Sequence, residues 1–201
     1  MRHRLVLDKI RQEKLLINLK KCIFVKKKMV YLGFVISVKG LKIDQEKVKS
    51  IINWPTPKNS FEVRSFHGLE SFYKKFIKNF SGICAPIIET IKGTKYPFKW
   101  TKETDKSFKL LKKKITKQPI LAFPYFNKLF QVECDASGTV IGVVLSQEKK
   151  PIAYFSEKLN EENKKYYSCD KEFYAIIQAL KKWRYYLMPK EFFLYTDNHA
   201  L

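Results

Sequence analysis

The stretch "FQVECDASGTVIGVVLSQ", residues 130–147, decides how the chain is read. Phe130, Val132 and Cys134 alternate with Gln131, Glu133 and Asp135, the period of two expected for a strand with one buried face. Ala136, Ser137 and Gly138 interrupt that pattern, and the mostly apolar run after them predicts a second strand. "PIAYFSEKL" (151–159) predicts a third. A helix is expected over 161–188, with Phe173, Ile176, Ile177, Leu180, Trp183 and Leu187 on one face, and "EFFLYTD" (191–197) predicts a fourth strand. The order β-β-β-α-β is an antiparallel meander followed by a helix and one more strand, an α+β pattern.

Within that pattern three acids occupy unusual positions. Asp135 ends the first strand and Asp197 ends the last. Glu172 precedes Ile176 by one helical turn, on the border of the buried face. Carboxylates gathered at one point repel each other and raise one another's pKa values, and a divalent cation relieves that repulsion. Mg²⁺ prefers oxygen ligands. Two such ions about 4 Å apart activate water and stabilise a leaving oxygen in phosphodiester hydrolysis. The plainer reading is an Asp in a turn or cap and a solvated helical Glu.

Upstream the periodicity is helical. A helix is expected over 4–21, carrying Leu5, Leu7, Ile10, Leu15, Leu16 and Leu19. "CIFVKKKMVYLGFVIS" (22–37) reads as two short strands around a Lys-rich turn, with Gly40 closing the unit. Asp44 is placed to cap a helix that Pro55 and Pro57 stop. Asn59 or Ser60 caps the next, whose apolar side is Phe66, Leu69, Phe72, Tyr73, Phe76 and Ile77. A short helix is expected to break near Pro86, and Thr101 begins another. Pro119 and Pro124 frame an extended piece.

The 201 residues are 45% apolar and 15% aromatic, enough to bury a core, and the net charge is +21. All of the excess lies in residues 1–128, with 30 Lys+Arg against 9 Asp+Glu; residues 129–201 hold 10 of each. A field of that sign suits a polyanion such as nucleic acid. No apolar run approaches the roughly 20 residues that span a bilayer, so no membrane partner is expected. Charges interrupt the N-terminal segment, which is not a secretory signal; a cytoplasmic or nuclear location is expected. The four cysteines, Cys22, Cys84, Cys134 and Cys169, form no C-x2-C pair and read as buried or inert thiols.

The chain resembles the reverse transcriptases of Ty3/gypsy-type LTR retrotransposons along essentially its whole length. The resemblance rests on "KKCIFVKKKMVYLGFVIS", "EKVKSIINWPTP", "VRSFHGLESFYKKFIKNFSGICAPI", "FKWTKETDKSFKLLKK", "PILAFP", "VECDASGTVIGVVLSQ", "PIAYFSEKL", "KEFYAIIQALKKWRYYL" and "LYTDNHAL", in that order. It implies a palm remnant over 1–40 with a primer-gripping hairpin around Tyr31, Leu32 and Gly33. It implies thumb-like helices over 41–95, and a connection plus a C-terminally truncated RNase H-like domain over 96–201. Asp135, Glu172 and Asp197 would be the first three metal-binding, catalytic acids of a ribonuclease H, holding two Mg²⁺ ions, or Mn²⁺ in their place. Arg64, Lys74, Lys75 and Lys78 would contact nucleic acid. The implied partners are an RNA–DNA hybrid, a primer–template duplex and the remainder of the retroelement polyprotein.

The departures matter as well. The Asp-Asp pair that the family's RNA-directed DNA polymerase chemistry needs occurs nowhere in the chain, so no polymerase activity is expected from it. The family's fourth acid lies downstream of the third, and Leu201 follows Asp197 closely, so ribonuclease activity is expected to be weak or absent. The alternative is a catalytically dead remnant that only binds nucleic acid. His67 stands where the family usually has Leu and reads as a surface or core-edge residue, and Asn198 stands where the family commonly has His.

Overall fold

The computed structural model describes residues 2–22, 24, 26–92 and 98–196. Helix α1 (Arg2–Gln12) stops well short of residue 21, and Lys14 just beyond it turns left-handed at φ 52°. Its periodicity had suggested a longer helix, but Leu5, Leu15, Leu16 and Leu19 are all exposed. An apolar stripe that meets no partner lends a helix little stability beyond its own propensity.

Three short antiparallel strands follow: β1 (Lys28–Tyr31), β2 (Phe34–Ser37) and β3 (Gly40–Ile43). The first hairpin turns at Leu32 and Gly33, with φ of 48° and 76°. A two-residue loop with both φ positive matches strand twist, and Gly33 supplies it cheaply. The turn is therefore not the lysine run, which leads into β1. Gly40 opens β3 rather than ending the unit. Its φ is 128°, and a Cβ there would lie 2.2 Å from the carbonyl oxygen of Leu121. That close approach lets Leu41 and Leu121 exchange backbone hydrogen bonds of 2.8 and 2.9 Å, tying the extended segment after Pro119 to this sheet.

Four helices build the first core: α2 (Gln45–Ile52), α3 (Ser60–Ser71), α4 (Phe80–Glu89) and α5 (Lys102–Thr116). Asp44 occupies the cap position of α2, but its side chain makes no capping bond. Asn59 caps α3 by accepting from the Glu62 N–H at 2.9 Å, while Glu62 accepts from the Lys58 N–H at 2.8 Å. Thr101 caps α5 through the Thr104 N–H. Helix α4 continues past Pro86, whose carbonyl accepts from the Thr104 hydroxyl; packing against α5 holds the helix where local propensity would break it. Ile43, Ile51, Val63, Phe66, Tyr73, Phe76, Ile87, Phe108, Leu111 and Ile115 form the core. Phe72, expected on the apolar side, is half exposed.

The second core lies under a four-stranded sheet. Strands β4 (Phe130–Ala136), β5 (Val140–Gln147) and β6 (Lys150–Lys158) form an antiparallel meander, and β7 (Phe192–Thr196) pairs parallel to β4, giving the order β6-β5-β4-β7. The protein is thus α+β, a helical region followed by the meander, helix and fourth strand that the sequence predicts. The helix between β6 and β7 is shorter than expected: α6 spans Ser168–Lys182, and a separate turn, α7, spans Arg184–Leu187. Its buried stripe is Glu172, Ala175, Ile176, Ala179, Trp183 and Leu187, while Phe173 is 53% exposed. Small alanines at the contact let the helix sit close to Val132, Cys134 and Val143, a rotation that bulk hydrophobicity alone did not predict.

The two cores meet along α4 and β6. Ser81 donates its N–H and its hydroxyl to the hydroxyl and carbonyl of Ser156, at 2.8 and 2.7 Å, and Lys158 reaches Glu89 at 2.6 Å. A cleft of about 760 Å³ opens between them. No helix among the described residues is long and apolar enough to cross a membrane.

Candidate metal and nucleic-acid site

Cys134 pairs with Thr196 in the parallel ladder between β4 and β7. Asp135 is the next residue of β4 and is exposed; the residue after Thr196 in sequence is Asp197, which lies outside the described residues. Strand alternation puts Phe130, Val132 and Cys134 against α6 and turns Gln131, Glu133 and Asp135 to the other face. Asp135 opens onto two shallow clefts there, of about 480 and 370 Å³, both of which include Lys78 and Gly142.

Glu172 comes from beneath. It sits in the second turn of α6, is only 8% exposed, and accepts a short hydrogen bond from the Thr196 hydroxyl at the tip of β7. A helical Glu in the middle of a buried stripe is costly unless it is satisfied. Thr196 satisfies one oxygen and ties α6 to the strand end that leads into Asp197. The acid also acts on its surroundings: burial, and then the Glu172 charge, push the Cys134 thiol up to about 12, so that sulfur stays protonated and inert. Thr196 was not singled out from sequence. The available signal was its place one residue before a strand-end acid, on the helix side of the sheet.

The carboxylates on hand offer hard oxygen donors, which suit Mg²⁺ or Mn²⁺. Asp135 presents its exposed carboxylate on the face turned away from α6, while the second oxygen of Glu172 lies on the α6 side, so the two acids approach the Cys134–Thr196 end of the sheet from opposite faces. Among the described residues, no third His, Cys, Asp or Glu joins these two in a ligand cluster.

The expected nucleic-acid residues do not fall on one stripe. Tyr31 and Leu32 are 56% and 68% exposed at the tip of the β1–β2 hairpin, beside Gly33. Arg64 is exposed on α3. Lys74 and Lys75 line the large cleft, and Lys78 faces the clefts at Asp135. Lys75 is partly spent on packing: its ammonium lies 4.5 Å from the centre of the Phe34 ring, and burial lowers its pKa.

The helical region is thus followed by a four-stranded sheet with one helix behind it and a buried acid held at a strand end. Residues 100–194 match the RNase H-like domain found in reverse transcriptase. Over 197 residues the chain is 36% identical to the retrovirus-related Pol polyprotein from transposon 297 of Drosophila melanogaster, covering 98% of this chain and 19% of that one. The Pol polyprotein from transposon gypsy of the same organism is 37% identical over 190 residues, 89% of this chain and 18% of its own length. The transposon Tf2-3 polyprotein of Schizosaccharomyces pombe is 34% identical over 203 residues, 98% of this chain and 15% of that one.

The chain is homologous to a segment of Ty3/gypsy-type retrotransposon Pol polyproteins, and its residues 100–194 match an RNase H-like domain. It spans about a fifth of the length of the curated relatives it matches. Its fold is that of the foamy viral protease–reverse transcriptase solved with an RNA/DNA hybrid, at TM-score 0.85 and 23% identity, covering 100% of this chain and 28% of that one. The foamy viral protease–reverse transcriptase dRH, solved in complex with double-stranded DNA, superposes at TM-score 0.83 and 23% identity, over 96% of this chain and 35% of that one.

Proposed function

We propose that the RNase H-like part of this chain belongs to a divalent-metal site that cleaves RNA in RNA–DNA hybrids, with Asp135, Glu172 and Asp197 as its acids. The supporting observation is the register of β4 against β7. Cys134 faces Thr196 across the parallel ladder, Asp135 follows Cys134 in β4, and Thr196 holds Glu172 at that end; Asp197 is the residue after Thr196 in sequence. Asp135 presents an open carboxylate, Glu172 a buried one, and together they would hold Mg²⁺. When bound, the metal supplies an activated water and neutralises charge building on the phosphate. Thr196 holds the Glu172 carboxylate at the end of β7.

The basic region, residues 1–128, serves in this reading to hold the hybrid or a primer–template duplex by its phosphates, with little reading of sequence. Residues 1–40, 41–95 and 96–201 correspond to a palm remnant, thumb-like helices, and a connection with the RNase H-like domain. The exposed Tyr31-Leu32-Gly33 hairpin tip supports a place beside the duplex.

The test is release of labelled RNA from a hybrid by the full chain in Mg²⁺ or Mn²⁺, beside Asp135→Asn and Glu172→Gln. Slow cleavage that both variants abolish supports the reading; equal rates in all three overturn it. The charge asymmetry favours a second reading, duplex binding without chemistry. In that case binding falls steeply with salt, cleavage is absent, and the acid variants bind as the wild type does.

A further inference from the structure

A second acid is buried more completely than Glu172, far from the strand ends. Glu70 on α3 has a fully buried side chain. His67, one turn earlier on the same helix face, places Nδ1 2.9 Å from Glu70 Oε1, and the Cys84 Sγ of α4 donates to that same oxygen at 3.3 Å. The other oxygen, Oε2, is buried and has no hydrogen-bond partner among the described residues.

Neither protonation state of the carboxyl settles this arrangement. The ionised form leaves a buried Oε2 without a donor. A proton placed on Oε2 has no acceptor. Each outcome costs roughly 1–3 kcal/mol or more. A divalent cation held by the three side chains would neutralise the buried charge, and a carboxylate bound through both oxygens would also engage Oε2.

We propose that His67, Glu70 and Cys84 form a binding site for a divalent transition metal of the zinc type. One atom from each residue lies within 4.8 Å of the others: an imidazole nitrogen, a carboxylate oxygen and the thiol sulfur. Tetrahedral zinc, with metal–ligand bonds of about 2.0–2.3 Å, sets its ligands roughly 3.3–3.7 Å apart. The present contacts of 2.9 and 3.3 Å need to widen by only a few tenths of an ångström.

The donor set selects the ion. Nitrogen and sulfur favour Zn²⁺ or Co²⁺ over Mg²⁺, which would go to an all-oxygen site. Access exists as well, since His67 is 33% exposed and both His67 and Cys84 line the large cleft between the cores. Three protein ligands leave a fourth position for water from that cleft. The metal clamps α3 to α4 across the turn that joins them. On binding, the Cys84 thiol gives its proton to solvent and the sulfur coordinates as thiolate.

The experiment titrates the reduced, chelator-treated full chain with Co²⁺ and then with Zn²⁺. One equivalent of Co²⁺ is expected to give a thiolate-to-cobalt charge-transfer band together with visible ligand-field bands, and Zn²⁺ should displace it. Cys84→Ser should lose the charge-transfer band. His67→Leu, which places an apolar residue at a partly exposed position, should keep its far-UV circular dichroism and bind Co²⁺ at least 10-fold more weakly. The inference is overturned if the wild-type chain shows no charge-transfer band. It is also overturned if the band persists in Cys84→Ser, which would assign it to another thiol, or if folded His67→Leu binds as tightly as wild type. Should Cys84→Ser fail to fold, the His67→Leu comparison decides alone.

Discussion

Glu70 in the helical core and Glu172 under the sheet are the same residue in nearly the same burial, 0% and 8% exposed, each on the inner stripe of a helix. Their neighbours differ. Glu172 meets the hydroxyl of Thr196, the residue that precedes Asp197 in sequence. Glu70 meets an imidazole and a thiol, and one of its oxygens has no hydrogen-bond partner among the described residues. Burial raises the pKa of Glu70 despite the His67 and Cys84 contacts, which lower it. A buried acid therefore signals that something must compensate it, and the surrounding donor atoms decide whether that is a hard ion or a soft one.

The largest effect should separate the two cores themselves. Phe66 is fully buried between Trp54 and Phe108, so Phe66→Ala should cost about 3–5 kcal/mol. Hydrogen exchange should show the loss in the amides of α3 and α5, while those of β4 and β5 keep most of their protection. Equal loss in both regions would mean one cooperative unit and would break the comparison.

Crossing the metals comes next. Glu172→Gln should lower Mg²⁺-dependent hybrid cleavage on the order of 100-fold, since a lost ligand removes several kcal/mol of charge stabilisation. The Co²⁺ spectrum should stay unchanged. His67→Leu should do the reverse, weakening Co²⁺ and sparing cleavage. A variant that moves both readouts would show that the two acids are not independent.

Gly40→Ala tests the link between the small sheet and the segment after Pro119. The new Cβ meets the Leu121 carbonyl, and φ 128° is unfavourable to any L side chain, so a loss of about 2 kcal/mol or more in urea unfolding is expected. Smallest is the ion pair across the junction. Glu89→Gln should cost no more than about 0.5 kcal/mol, because both partners are partly exposed. Lys158 holds the Glu89 pKa below its ordinary 4.5. The contribution is therefore complete above that value and disappears as pH falls through the depressed one. Wild type and variant should converge in acid and in high salt.

Much of the second half was legible in the residues. Alternation over 130–135 showed which face of β4 is buried, and the succession of strands along the chain followed from local periodicity, whereas the parallel pairing of β7 with β4 did not. Less was legible where packing overrides local preference. The stripe of α6 turns toward Ala175 and Ala179 because close approach to the sheet rewards small side chains. Helix α4 carries Pro86 because α5 supports it. The lysine run at 26–28 is not a turn, because Leu32 and Gly33 supply the positive φ that the hairpin needs.

The sequence by itself determined the period of each strand, the places of the acids along the chain and the confinement of positive charge to residues 1–128, because these depend on residue type and spacing alone. Only the tertiary structure decided that Thr196 would hold Glu172, and that Glu70 would be sealed against His67 and Cys84 with one oxygen unpaired. Those contacts join residues 24 and 14 positions apart, and what a polar atom meets at that separation is set by how elements pack rather than by its neighbours in sequence.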